Sequence, residues 1–346
     1  MERFLQLHLL TSYPPANLNR DDRGRPKTAV MGGCLRLRIS SQSLKRAWRT
    51  SDVFRASLDK HSGTRTKRLG LYVADKLKEN KVSDGDATKW ARAIAEQFGK
   101  VEKDSLMISQ LAHIGPDEWS AVDRLMMTLC NEKRMPKDEE LESLRSPEVK
   151  ASDIALFGRM MAEHVANNVD AAAQVAHAVT THRVTVEDDY FTAVDDLNIG
   201  REDGGAAHIG ETEFAAGLFY QYLCIDRELL VSNLRGDIGL ASRTIEALLE
   251  CASTVGPTGK QASFASRARA SYIVAEKGNQ QPRSLSVAFL KPIDGDDILT
   301  NSIQSLETTM NNMDSVYGPC ADRRKTVNAV TGEGKLEELS RFAAEM

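Results

Sequence analysis

Residues 32–49, GGCLRLRISSQSLKRAWR, hold the change of period that decides how this chain folds. Across Leu35-Arg36-Leu37-Arg38-Ile39 apolar residues alternate with arginines, the period of two that a strand shows when one face is buried and the other wet. That pattern points Leu35, Leu37 and Ile39 inward and Arg36 and Arg38 outward. Two glycines before the strand supply a turn. After it, Ser40, Ser41 or Ser43 can cap a helix, because a short hydroxyl accepts from the free amides of a first turn. In that helix Gln42, Lys45, Arg46 and Arg49 fall within an arc of roughly 100°, while Leu44, Ala47, Trp48 and Ser51 occupy the opposite side. One side packs and the other is cationic. No carboxylate stands between Arg23 and Asp52, so strand arginines and a helix N-terminus, itself a site of unpaired amides, converge on one edge and favour an anion.

The charge of the whole chain hides this. Of 346 residues with a net charge of −4, residues 1–70 carry 15 Lys and Arg against 5 Asp and Glu, a difference of +10, so the remainder carries −14. Such asymmetry makes a local basic surface suited to a polyanion. A hydrophobic content of 41% suffices for the core of one large domain with insertions, or of two ordinary ones. No apolar run approaches bilayer length, and MERFLQLHLLTSY is too short and too interrupted for a signal peptide, so the expected location is cytoplasmic. The five cysteines are scattered, with no CxxC or Cys/His pairing, which supports neither a disulfide framework nor a zinc site. No metal and no cofactor are expected.

Working outward, residues 3–13 read as a first strand with Leu5, Leu7 and Leu9 on one face and Gln6 and His8 on the outer one. His8 there is a polar surface residue rather than a catalytic one. The loop PPANLNRDDRGRPKTAVMGG adds Arg20, Arg23, Arg25 and Lys27. Its adjacent carboxylates, Asp21 and Asp22, could serve a metal or a general base, but no third ligand is near in sequence, and a role holding the neighbouring arginines is favoured. Residues 60–145 read as an inserted helical unit in which Trp90, Ala93, Ile94 and Phe98 form a core stripe and Lys133, Arg134 and Lys137 a solvated basic group. From Asp153 a short apolar strand is expected, leading through Gly158-Arg159-Met160 into an alanine-rich helix and a further strand. Residues 187–220 read as an exposed hairpin or arm, since 181–215 hold nine Asp and Glu against two Arg. Segments 271–278 and 283–293 are expected to be adjacent strands following a loop with Lys260, Arg267 and Arg269, and helices are expected over 296–313 and 333–345.

There is no GxxxxGK(S/T), no GxGxxG after a strand, no HExxH and no GxSxG, which speaks against a nucleotide-burning enzyme or a zinc hydrolase. The aromatic signature with which RNA-recognition sheets stack bases is also missing.

Arg38-Ile39-Ser40-Ser41-Gln42-Ser43-Leu44-Lys45-Arg46-Ala47, with Leu18-Asn19-Arg20-Asp21-Asp22 upstream, resembles the CasC (Cse-four, Cas-seven) family, backbone subunits of the type I-E CRISPR effector complex Cascade. Gly158-Arg159-Met160, AHAVTTH at 176–182, and FTAVDDL with the following AHIG and EFAAGLFY up to residue 220 support the resemblance, which is strong over 1–50 and 150–222 and elsewhere one of layout. It implies an α+β fold with a ferredoxin-like (RNA-recognition-like) palm, inserted helical fingers and a thumb arm. The palm would take 1–59, 146–186 and 221–346, the fingers 60–145 and the thumb 187–220. It further implies a scaffold that is not an enzyme. Copies stack head to tail along one CRISPR guide RNA, grip its backbone and present kinked segments of bases to target DNA. They do so beside the subunits CasA, CasB, CasD and CasE and without a membrane.

Carried onto this chain, the grip falls on Arg20, Lys27, Arg38, Ser40, Gln42, Lys45, Arg46 and Arg49, with Arg36 beside them, and the kink on Met160 with Phe191. Relatives are often basic just after the two glycines, where Cys34 and Leu35 stand here. The charge pattern has its own reason: a guide must leave its bases free to pair, so its protein should hold phosphates and sugars. The alternative is a metal-dependent RNA endonuclease of the type III backbone kind, using Asp21 or Asp22.

Overall fold

The computed structural model describes residues 1–58, 60–145, 150–193 and 208–346. In chain order, β1 (Phe4–Ala16) is followed by the hairpin β2 (Thr28–Met31) and β3 (Cys34–Ile39), then by α1 (Ser41–Arg49) and α2 (Asp52–Ser57). The next unit holds β4 (Thr64–Thr66), α3 (Leu69–Glu79), α4 (Asp84–Glu96), β5 (Ala112–Ile114), α5 (Pro116–Glu132) and α6 (Asp138–Glu142). After α7 (Ser152–Phe157) come β6 (Ala173–Val175), β7 (Ala178–Thr180), and β8 (Glu187–Ala193) paired with the long β9 (His208–Asp226). The chain ends with α8 (Arg227–Asn233), α9 (Ile238–Thr254), α10 (Gln261–Phe264), β10 (Ala270–Gly278), α11 (Ile298–Tyr317), β11 (Arg323–Asn328) and α12 (Leu336–Ala344). Several helices start where an acceptor side chain is available: Ser83, Asp226, Asp237 and Asp297 each receive the amide three residues on.

One antiparallel sheet runs β11-β10-β1-β9-β7-β3-β2, with β6 and β8 also pairing onto β9. β1 lies between β10 and β9, in register with β10 from Phe4↔Gly278 and with β9 from Phe4↔Asp226. On one face Leu5, Leu7 and Leu9 pack under Trp48 of α1, Phe54 of α2, Leu248 of α9 and Leu339 of α12. On the other, Leu10, Tyr220, Tyr272 and Val274 lie beneath Phe289 of a 3-10 turn and Leu306 of α11. Each of these large side chains contributes about 1.5–3 kcal/mol by leaving water. A separate core joins Val73, Trp90, Ile94, Val122 and Leu129 of α3, α4 and α5, with β4 and β5 forming a two-stranded sheet beside it.

Layers on both faces explain where sequence patterning misleads. Gln6 and His8, expected on a wet face, are buried, because the second face of β1 is covered too. Residues 283–293 are not a strand: Leu285 and Phe289 are buried while Val287 and Leu290 are exposed, which is helical spacing, and they form the 3-10 turn over Ser286–Phe289. The partner of β10 on that side is β11, RRKTVN, whose charges conceal its strand character. Residues 152–157 form α7 rather than a strand; a short apolar run fits either period. The alanine-rich piece expected to be a helix instead supplies β6, where Ala172 and Ala173 sit in the core and pairing to β9 overrides helix propensity. A hairpin is present as read: Glu187↔Phe214 through Ala193↔His208 are paired, and every residue of β8 is exposed. The VDDL of the quoted FTAVDDL segment and the rest of 194–207 lie outside the described residues. The cysteines are free. Among the described residues no helix is long and apolar enough to cross a membrane.

Candidate nucleic-acid interface

Of the three serines that could cap α1, Ser40 does so, its Oγ accepting from the Ser43 amide at 3.3 Å. Leu44, Ala47 and Trp48 are buried, and the Trp48 indole donates to the Val255 carbonyl at 3.2 Å, pinning the helix to the chain just after α9. That orientation leaves Gln42 and Arg46 exposed and Lys45 and Arg49 half-buried at the surface. Ser40 itself is buried with its hydroxyl committed to the cap.

The arginine loop is brought to the same edge by Asn19. Its carbonyl accepts from the Lys27 amide at 2.8 Å, and its side-chain Oδ1 accepts from the Ser40 amide at 2.8 Å. The Arg38 amide in turn donates to the Lys27 carbonyl at 2.8 Å. Loop, strand end and helix start are thereby tied into one surface carrying Arg20, Lys27 and Arg38. Arg38 Nη1 lies 3.0 Å from His177 Nδ1; a guanidinium has no acceptor, so it donates and the imidazole accepts. Partial burial, then the charges of Arg38 and Lys27, hold the His177 pKa below its ordinary value, so this histidine is neutral beside its two cations. Asn19→Ala is expected to lower stability by about 1–2 kcal/mol, the cost of a buried amide left without its acceptor. Thermal unfolding measures it, and an unchanged midpoint would show that water replaces the Asn19 oxygen.

Arg36 does not belong to this surface. It is 0% exposed, and its guanidinium donates to the carbonyls of Thr180 at 2.8 Å and Phe289 at 2.9 Å. Leu35, expected inward, is 39% exposed. The second layer accounts for Arg36, whose face is roofed by the turn holding Phe289, while the core that buries Leu37 and Ile39 does not extend to Leu35. The roof sits close enough that a Cβ on Gly32, whose φ is +60°, would stand 1.6 Å from the Leu290 carbonyl oxygen.

Asp21 is spent locally, its Oδ1 accepting from the amides of Arg25 and Arg23 at 2.9 Å each. Those amides hold its carboxyl below the ordinary range. Asp22 is exposed. Among the described residues no group of three or more His, Cys, Asp or Glu side chains could hold a metal ion. The acidic hairpin leans on the same loop: Arg25 pairs with Glu213 at 2.9 Å, and Lys260 donates to Thr212 Oγ1 at 2.8 Å. Met160 and Phe191, the two apolar candidates, are 86% and 43% exposed. Phe191 packs across Gly210, its partner in the β8–β9 register.

Sequence reading overlooked Asn19 as an organiser, although it sits in the quoted Leu18-Asn19-Arg20 segment, and His177, which lies in the quoted AHAVTTH. It also overlooked Asp153, 3.7 Å from the Arg49 guanidinium and fully buried. A carboxylate distant in sequence leaves no local signal.

The fold and the surface define an α+β protein whose cations gather at the end of one antiparallel sheet, the central strands of which are covered on both faces. The chain belongs to the family of CT1975-like proteins, whose model matches residues 5–345. It is 31% identical to a subunit solved in a "CRISPR RNA-guided surveillance complex, pre-nicking", covering 98% of this chain and 100% of that one with a TM-score of 0.82. It is also 26% identical to a chain of a "CRISPR RNA-guided surveillance complex", covering 96% and 91%, with a TM-score of 0.61. No curated protein matches the chain.

Proposed function

We propose that this chain is a non-catalytic backbone subunit of a type I-E Cascade that assembles head to tail along a CRISPR guide RNA and holds it by its phosphates. The observation that carries this reading is that Arg20, Lys27 and Arg38 lie on a surface tied to the start of α1, the helix that carries Lys45, Arg46 and Arg49, while the central strands of the sheet beside them are covered on both faces. Bases cannot stack on such a sheet, so contact falls on the backbone and leaves base edges free for target DNA. In this reading the sheet is a ferredoxin-type palm, residues 60–145 the fingers and the hairpin over 187–220 the thumb. Exposed Met160 and Phe191 are the apolar residues that unstack a step. Asp21, engaged with backbone amides, is better suited to shaping the loop than to cleaving RNA. CasA, CasB, CasD and CasE are the expected companions.

Light scattering with single-stranded RNAs of increasing length tests the assembly. The particle mass should rise in steps of one chain as the RNA lengthens. A fixed complex of one chain per RNA at every length would sink the scaffold reading, and magnesium-dependent cutting of complementary RNA lost in Asp21→Ala would replace it.

A further inference from the structure

Behind the grip helix a group of side chains joins α1 to the helical unit. Asp153 is fully buried; its Oδ1 accepts from the Gly63 amide at 2.7 Å, and its Oδ2 lies 2.8 Å from His113 Nε2 and 3.7 Å from the Arg49 guanidinium. On the far side of the ring, Arg65 Nε donates to His113 Nδ1 at 3.3 Å. A guanidinium only donates, so Nδ1 is the bare nitrogen and Nε2 carries the proton given to Asp153. Both neighbours thus select one tautomer. Burial, opposed in part by Asp153, keeps the His113 pKa below its ordinary value, consistent with that neutral ring. Gly63 makes the approach possible, since a Cβ there would stand 2.8 Å from His113 Nε2.

The result is that Arg65, from β4, is set against the cations of α1. Burial lowers the pKa of Lys45, and Arg65 lowers it further; burial also lowers that of Arg49, where Arg65, Arg46 and Arg55 oppose the help of Asp153. The Lys45 ammonium rests 5.6 Å from the Phe157 ring centre, and among the described residues no ion pair holds it. Lys45 and Arg49 of α1 and Arg65 of β4 therefore act on one another, and among the described residues only Arg49 of the three has a carboxylate within ion-pair distance, the buried Asp153 at 3.7 Å. Like charges gathered together, Lys45 and Arg49 partly buried and Arg65 exposed, are unfavourable until an anion joins them.

We propose that Lys45, Arg49 and Arg65 form a phosphodiester clamp across the junction of α1 and β4, with His113 and Asp153 as positioning residues that aim Arg65 and Arg49. The clamp rests on the RNA-backbone reading and extends it to the helical unit: one phosphate of the single-stranded RNA sits between the two elements.

The test uses the full chain and a guide-length single-stranded RNA titrated across salt. Arg65 is exposed, so Arg65→Ala leaves the core untouched. It should weaken binding about tenfold and reduce the slope of log affinity against log salt by about 0.7 per bound chain. His113→Leu should reproduce that loss. His113→Gln, which offers both an acceptor and a donor, should restore most of the affinity; equal losses from the two would overturn the positioning role. Arg38→Ala, outside the clamp, is measured alongside. If it weakens binding while Arg65→Ala does not, the clamp is wrong and the RNA reading stands. If neither matters, the RNA reading fails and takes the clamp with it.

Discussion

Glu276→Leu should cost about 3–5 kcal/mol of stability, the size expected when one partner of a buried ionic group is removed and the others stay behind. Glu276 is fully buried on β10, with Arg283 on both carboxylate oxygens at 2.5 and 3.0 Å, Arg324 on one, and His8 Nε2 at 3.1 Å. The Leu285 amide donates to the Tyr220 hydroxyl at 3.0 Å, which leaves the phenol's proton to be given to His8 Nδ1 at 2.8 Å. His8 is therefore neutral, with its Nε2 proton on Glu276. Burial alone would raise the Glu276 pKa, but the bonds from His8 and Arg283 outweigh it and hold the carboxyl well below the ordinary range. Burial likewise holds His8 below its ordinary value.

The pH dependence follows. A depressed histidine pKa means that the unfolded chain takes up a proton first, so stability falls as pH drops below the ordinary histidine value of 6.5. A depressed carboxyl adds a second loss below 4.5. Denaturant unfolding of the parent chain should show both declines, and Glu276→Leu should make the lower one smaller, the remainder coming from other depressed carboxyls such as Asp21 and Asp314. A variant within about 1 kcal/mol of the parent would mean that the arginines relax to solvent without cost.

The layout of the basic surface on α1 was more legible than its supports, and for a definite reason. Ser40 capping α1, the inward Trp48 and the outward Arg46 are consequences of neighbours within one or two turns, and a linear pattern records them. Arg36 was misread because alternation distinguishes two faces of a strand but not whether each meets water. Only the long-range placement of Phe289 decides that, and an arginine that finds two carbonyls under that roof is as well satisfied as one in solvent. His8 was misread in the same way. The antiparallel α+β class was accessible from strand and helix runs, yet β11 was hidden by its charges and the turn over Ser286–Phe289 by its apparent alternation. His113 and Asp153, 40 residues apart, meet through the packing of two cores, and no spacing rule reaches that far.

The difference between Arg36 and its neighbours sets the second large effect. Replacing Lys27, Arg38 and Arg46 together by alanine should lower RNA affinity by at least a hundredfold and reduce the salt slope by about two, since each lost phosphate contact on a single strand removes about 0.7. Thermal stability should barely move, because Arg46 is exposed and the other two are only half-buried. Arg36→Met should do the reverse. It leaves the Thr180 and Phe289 carbonyls without their donors, at about 1–3 kcal/mol for each, while the salt slope of the folded fraction keeps its parent value. The pair of measurements separates two roles that one run of alternating arginines conceals. A lowered slope in Arg36→Met would mean that the Phe289 roof opens when RNA binds. A triple variant that keeps the parent slope would move the phosphate path away from β3 and α1 altogether.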